Sequence, residues 1–97
     1  MKREDFIFTI GYDGDTAIVD GKAKKRYGKL NTGQLAEAGL FKAAFCSALF
    51  SGIEQEVQQV VEAYNKGEKA SYSNEDDLKR LFGVYEIPQA ITKVKLL

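Results

Sequence analysis

Ala38-Gly-Leu-Phe-Lys-Ala-Ala-Phe-Cys-Ser-Ala-Leu-Phe50 is the most apolar stretch of the chain, and it reads as a helix. Placed at the helical angle from Leu35, its apolar side chains run almost all the way round. Leu35, Phe45, Cys46, Leu49 and Phe50 cover one side, and Leu40, Phe41, Ala44 and Ala48 the other. Glu37, Lys42 and Ser47 interrupt singly and make no polar face. A helix apolar on all sides belongs in a core or a membrane. Crossing a bilayer takes roughly 20 apolar residues, more than this run offers, and Lys42 stands in its middle. The expectation is a buried core helix and no membrane partner.

Working outward, Asn31 is a candidate N-cap, with Gln34 as its capping-box partner and Leu30 and Leu35 at the staple positions. Ser51-Gly52 supplies the stop. A second helix is predicted over residues 52–66, capped by Ser51 with Glu54. Its stripe is Ile53, Val57, Val60, Val61 and Tyr64, at helical spacing. Gly67 ends it. Ser73 or Asn74 caps a third helix with Glu75, Asp76 and Asp77 in its first turn, where the helix dipole favours acids. Leu78, Leu81 and Phe82 point inward, and Gly83-Val84 suits a Schellman ending.

The N-terminal third reads as β. Residues 6–10 are aromatic and β-branched, and Asp13-Gly14 suits a type I′ hairpin turn. Residues 16–19 return, with Ile10 opposite Ala17 and Phe8 opposite Val19 on the core side. Ile7, Thr9 and Ile18 then share the far face as a candidate interface. The return strand continues through a bend at Gly21 into the basic run; the alternative is a second turn at Asp20-Gly21 with residues 22–27 as a further strand. Residues 91–97 alternate as a last strand, with Thr92, Val94 and Leu96 on one face. The first strand lacks charge and is placed centrally, because lysines mark edges. The expected fold is one α+β domain over residues 1–97, in two layers and the order β-β-α-α-α-β. It has a three-stranded sheet of order 2-1-3, with three helices on one face.

The 97 residues carry 14 Lys and Arg against 14 Asp and Glu. Zero net charge removes the simplest argument for a nucleic-acid or membrane-surface protein and favours self-association. The chain has no histidine, which excludes Ser-His-Asp and Cys-His catalysis and imidazole zinc sites. Cys46 is the only cysteine, so no disulfide closes within the chain. Its apolar surroundings suit an inert thiol. With a mixed-charge N-terminus and no apolar leader behind it, a cytoplasmic location is expected.

Lys22, Lys24, Lys25, Arg26 and Lys29 form an acid-free basic cluster, with Tyr12 and Tyr27 near in sequence. Such a cluster can track a phosphate backbone, but it also serves as a solvated edge. Lys29, Asn31, Thr32 and Gly33 precede a helix, where an anion can bind, although capping alone explains them. Walker spacing is missing. Asp13, Asp15 and Asp20 lack the later ligands of a calcium loop, so no metal is expected. No catalytic constellation and no cofactor site is visible. The leading expectation is a small non-catalytic, self-associating interaction module. The alternative is a binder of nucleic acid or an anionic ligand through the basic cluster and the loop before the central helix.

Overall fold

The computed structural model describes residues 1–97. Nine elements follow in order: α1 (Arg3–Ile7), β1 (Thr9–Asp13), β2 (Thr16–Val19), α2 (Gly21–Tyr27), α3 (Thr32–Glu37), α4 (Phe41–Ser51), α5 (Glu54–Glu68), α6 (Glu75–Phe82) and β3 (Lys93–Leu96). The fold is α+β, with six helices and a three-stranded mixed sheet. The chain divides into two compact units, a sheet unit of residues 1–29 and 87–97 and a helical unit of residues 30–86.

In the sheet unit the expected first strand is overturned. Phe6 and Ile7 end helix α1, and pairing starts only at Thr9. Glu4 and Asp5 occupy the first turn of α1, where the dipole favours acids. Five residues are too few for an independent helix, so long-range contacts hold this one. Arg3 Nη1 donates to Gly28 O at 2.9 Å, and Asp5 Oδ1 lies 2.6 Å from Lys24 Nζ. Phe6 and Ile7 are thereby buried.

The hairpin turn also moves by one residue. Gly14 and Asp15 form the loop, with Gly14 at φ +58° and Asp15 not left-handed, the pattern of a II′ rather than an I′ turn. Tyr12 therefore faces Ala17, Asp13 faces Thr16, and the register breaks between Thr9 and Gly11. One face carries Thr9, Val19 and Leu96 with Tyr12, Ala17 and Val94. The other carries Asp13, Thr16 and Lys93 with Gly11, Ile18 and Lys95.

The sheet order is β1-β2-β3, with β2 central and β3 parallel to it, not 2-1-3. The charge rule placed β3 correctly at an edge. It failed for β1 and β2, because the apolar residues that argued for a central first strand went into α1 and the lysines that argued for an edge second strand went into the helix after Asp20. Asp15 sets the start of β3. Its carbonyl accepts from Thr92 N (2.9 Å) and Lys93 N (3.1 Å), and its carboxylate accepts from Thr92 Oγ1 at 3.1 Å.

The basic run forms helix α2, not an extended strand. Asp20 Oδ1 accepts from Ala23 N at 3.0 Å and caps it. Lys, Ala and Arg are strong helix formers, so once Asp20 caps the run the extended reading loses.

In the helical unit the apolar stretch is two helices rather than one. Gly39 at φ +78° closes α3 in a Schellman motif: Leu40 N donates to Leu35 O and Gly39 N to Ala36 O, each at 3.0 Å. The expected capping box holds, with Asn31 Oδ1 accepting from Gln34 N and Gln34 Oε1 from Asn31 N. Helix α4 is buried on most sides, as its sequence predicts, and Ala44, Phe45 and Ala48 are fully enclosed. Gly52 and Gly83 end α4 and α6 in the left-handed region, as expected.

Three further details differ. Helix α5 is preceded by Ile53, not by a Ser51–Glu54 box, since Ser51 Oγ accepts from Ile53 N and donates to Ala48 O. The helix passes Gly67 and ends at Glu68. In α6 only Leu78 is fully buried, while Leu81 is exposed. Tyr64 centres an aromatic cluster, with ring centroids 5.2 Å from Phe41, 5.7 Å from Tyr72 and 5.7 Å from Phe82. Burial pushes its hydroxyl above the usual tyrosine value, with Glu68 and Tyr72 adding to the shift.

Candidate functional site

The five cations of the basic cluster do not share one role. Lys24 meets the buried carboxylate of Asp5 in an ion contact, without hydrogen-bond geometry at Oδ1. Lys22, Lys25, Arg26 and Lys29 are exposed. The spacing of Lys22, Lys25 and Arg26 at i, i+3 and i+4 puts them on one side of α2, and Lys29 follows its C-cap, Gly28. Arg26 stacks over Tyr27 at 5.2 Å from the ring centroid. Asn31, Thr32 and Gly33 belong to the helical unit, so the structure assigns the two halves of the expected anion site to different units.

Thr32 is buried and committed. Its hydroxyl donates to Glu56 Oε1 and lies 2.8 Å from Ser47 Oγ. With the single Thr32 proton directed to Glu56, Ser47 is the donor of the second bond. A carboxylate therefore stands where the loop reading put an anion. The acids of the hairpin are equally occupied: Asp20 caps α2 and Asp15 anchors β3. No group of three or more carboxylate or thiol side chains converges on one point. Cys46 is buried, and burial raises its thiol to about 11, with Lys42 opposing weakly.

Ile7, Thr9 and Ile18 do not form one face. Ile7 lies in α1 and is 4% exposed, and Thr9 and Ile18 are on opposite faces of the sheet. The exposed apolar surface of this unit is elsewhere. Every residue of β3 is exposed, and Val94, Leu96 and the following Leu97 are 41%, 56% and 65% accessible. Leu97 N donates to Val19 O at 3.0 Å and Lys93 N to Asp15 O. Backbone groups alternate along a parallel strand, so those of Val94 and Leu96 point to the open edge.

The helical unit carries a groove of about 400 Å³. Leu49 of α4 and Ile53 of the α4–α5 turn give it accessible apolar side chains, with Gly52 beside them and buried Ala48 and Val57 beneath. Glu54 and Gln58 of α5 and Asn74 and Glu75 of α6 complete it. No lysine or arginine lines it. A shallower depression continues along α5 over Glu54, Gln55, Gln58, Gln59 and Glu62.

The sequence alone did not reveal the groove, because Leu49, Ile53 and Val57 read as ordinary core positions. No signal in the sequence marked it: only the structure puts Ile53 at an N-cap position, where a side chain able to accept a hydrogen bond is preferred, and it makes no cap bond.

The zero net charge conceals a segregation. The sheet unit has nine Lys and Arg against five Asp and Glu, and the helical unit has five against nine. No helix is long and apolar enough to cross a membrane. No protein-family model, curated protein or solved structure matches the chain.

Proposed function

We propose that the protein is a small self-associating interaction module that joins copies through the free edge of β3. One observation carries this reading: β3 is an outer strand with apolar, exposed side chains at Val94 and Leu96 and backbone groups directed outward. An unpaired edge of this kind is a template for strand addition. Two copies joined edge to edge across a two-fold axis would satisfy both sets of backbone groups and cover Val94 and Leu96. Lys93 and Lys95 lie on the other face and keep it solvated.

The test is native mass spectrometry together with sedimentation velocity over a range of concentrations. A dimer is expected, and Val94→Pro is expected to convert it to a monomer. A wild-type protein that stays monomeric at high concentration, or a dimer untouched by Val94→Pro, overturns the reading.

Helix α2 supports a second reading, as a surface for nucleic acid or another polyanion. The supporting observation is the exposed stripe of Lys22, Lys25, Arg26 and Lys29. Binding to single- or double-stranded DNA at low salt should weaken steeply as salt is added and vanish in a Lys25→Glu, Arg26→Glu variant. Absence of binding at low salt ends this reading.

A further inference from the structure

We propose that the groove of the helical unit is a docking site for a cationic amphipathic peptide, one that inserts an apolar side chain and flanks it with lysine or arginine. Three observations carry the proposal. Ile53 is 47% exposed and stands at the N-cap of α5 without capping it. A residue that serves neither the core nor the cap breaks a local rule, and such breaks concentrate at functional positions. Half-buried Leu49 continues the apolar surface from Ile53 into the groove, above a floor of Ala48 and Val57 that is itself buried. Its volume of about 400 Å³ is that of a ligand-sized site.

The charge of the occupant follows from the rim. The N-terminus of a 15-residue helix such as α5 would by itself favour an anion. Here Glu54 and Glu56 fill its first turn, Glu56 turned to Thr32 and Glu54 lining the groove; Glu75 adds a carboxylate from α6 that is shared with Lys79 at 3.1 Å, and no cation is among the lining residues. Glu54 and Glu62 extend the acidic track over the adjoining depression. A phosphate or a fatty-acid headgroup would meet carboxylates at the mouth, whereas a lysine or arginine beside the anchor would be complemented. The excess of four acids on this unit extends the preference beyond the rim.

The test uses the full chain and a fluorescein-labelled helical peptide with leucines on one face and lysines on the other. Two companion peptides replace its lysines by glutamate or its leucines by serine. Saturable one-to-one binding of the first peptide alone is expected by anisotropy. Ile53→Ser should weaken it at least tenfold, as should Glu54→Gln with Glu75→Gln. Glu37→Gln with Glu86→Gln removes the same charge outside the groove and should leave binding unchanged.

Equal loss from both glutamate pairs overturns the proposal, because it marks diffuse electrostatics. So does comparable binding of either companion peptide, or no saturable binding at all. If raising the protein concentration expels the peptide, a second copy is the occupant and the peptide reading fails. Unfolding curves accompany each variant; should Ile53→Ser not fold, the two glutamate pairs decide.

Discussion

Lys24 Nζ lies 2.6 Å from Oδ1 of Asp5, a carboxylate only 5% exposed, and this contact holds α1 against α2. The two partners are unequal, since water reaches the lysine side chain more readily than the carboxylate. Removing the lysine strands a buried charge, and removing the acid leaves a cation that can still be hydrated. Lys24→Met should therefore destabilise the protein by about 3 kcal/mol. Asp5→Asn should cost clearly less. Urea denaturation of the two variants and their double mutant measures the coupling, and equal losses would contradict the asymmetry.

That contact also marks where the sequence stopped being informative. The capping box at Asn31, the stop glycines 52 and 83 and the Val57, Val60 and Val61 part of the α5 stripe were legible because each is written within a few neighbouring residues, whereas Ile53, expected at the head of that stripe, precedes the helix and is exposed. The placement of Phe6 and Ile7 was not, because it depends on Asp5 finding Lys24 at long range. The strand order then failed for the same reason, since β1 lost its apolar residues to α1. Of the candidate site, the exposed cations of α2 were legible as a cluster. Their geometry was not, because nothing in the local pattern distinguishes a strand bending at Gly21 from a helix capped by Asp20.

The Thr32, Ser47 and Glu56 network is buried at its hydroxyl end. Thr32→Val keeps the shape and removes the hydroxyl, leaving Ser47 and Glu56 without that partner. A loss of about 2 kcal/mol is expected in thermal or urea unfolding. Thr32→Ser should stay within about 0.5 kcal/mol of wild type after correction for the lost methyl, since it retains the hydroxyl.

Gly39 explains why the apolar stretch is two helices. Its φ of +78° is a left-handed conformation that side chains with a Cβ resist. Gly39→Ala should cost about 1 kcal/mol by strain in the folded state. Nothing lies within 4 Å of the added methyl, so strain alone accounts for the loss. A stabilised Gly39→Ala variant would show instead that α3 and α4 can fuse into one helix.

Cys46 links burial to pH. Its thiol rises from 9.0 to about 11 because burial disfavours the thiolate. Below pH 9 the folded and unfolded chains both keep the proton, and Cys46 adds no pH dependence. Between about 9 and 11 the unfolded thiol ionises and the folded one does not, so stability falls as pH rises. The loss is about 2 kcal/mol at pH 11 and approaches about 3 kcal/mol only above it. Cys46→Ala should flatten that part of the stability profile relative to wild type, whatever it costs at neutral pH. In the native protein at pH 7, iodoacetamide should react only through unfolding, at a rate that rises with urea.

The edge of β3 yields the sharpest substitution. Proline at position 94 deletes an N–H that points away from β2, so the β2–β3 ladder keeps its bonds. Lys93, the residue before it, is already extended, which is the conformation a following proline demands. Val94→Pro should thus leave the stability of the monomer within about 1 kcal/mol of wild type while removing strand addition. Lys95→Pro is the matched contrast. The alternation set by Lys93 and Leu97 turns the Lys95 N–H toward β2, so this variant breaks the ladder and should unfold β3. Hydrogen exchange at Ala17 and Val19 separates the two cases: protection is retained in Val94→Pro and lost in Lys95→Pro. If both variants lose it equally, the outward direction of the Val94 backbone is wrong, and the edge-pairing argument falls with it.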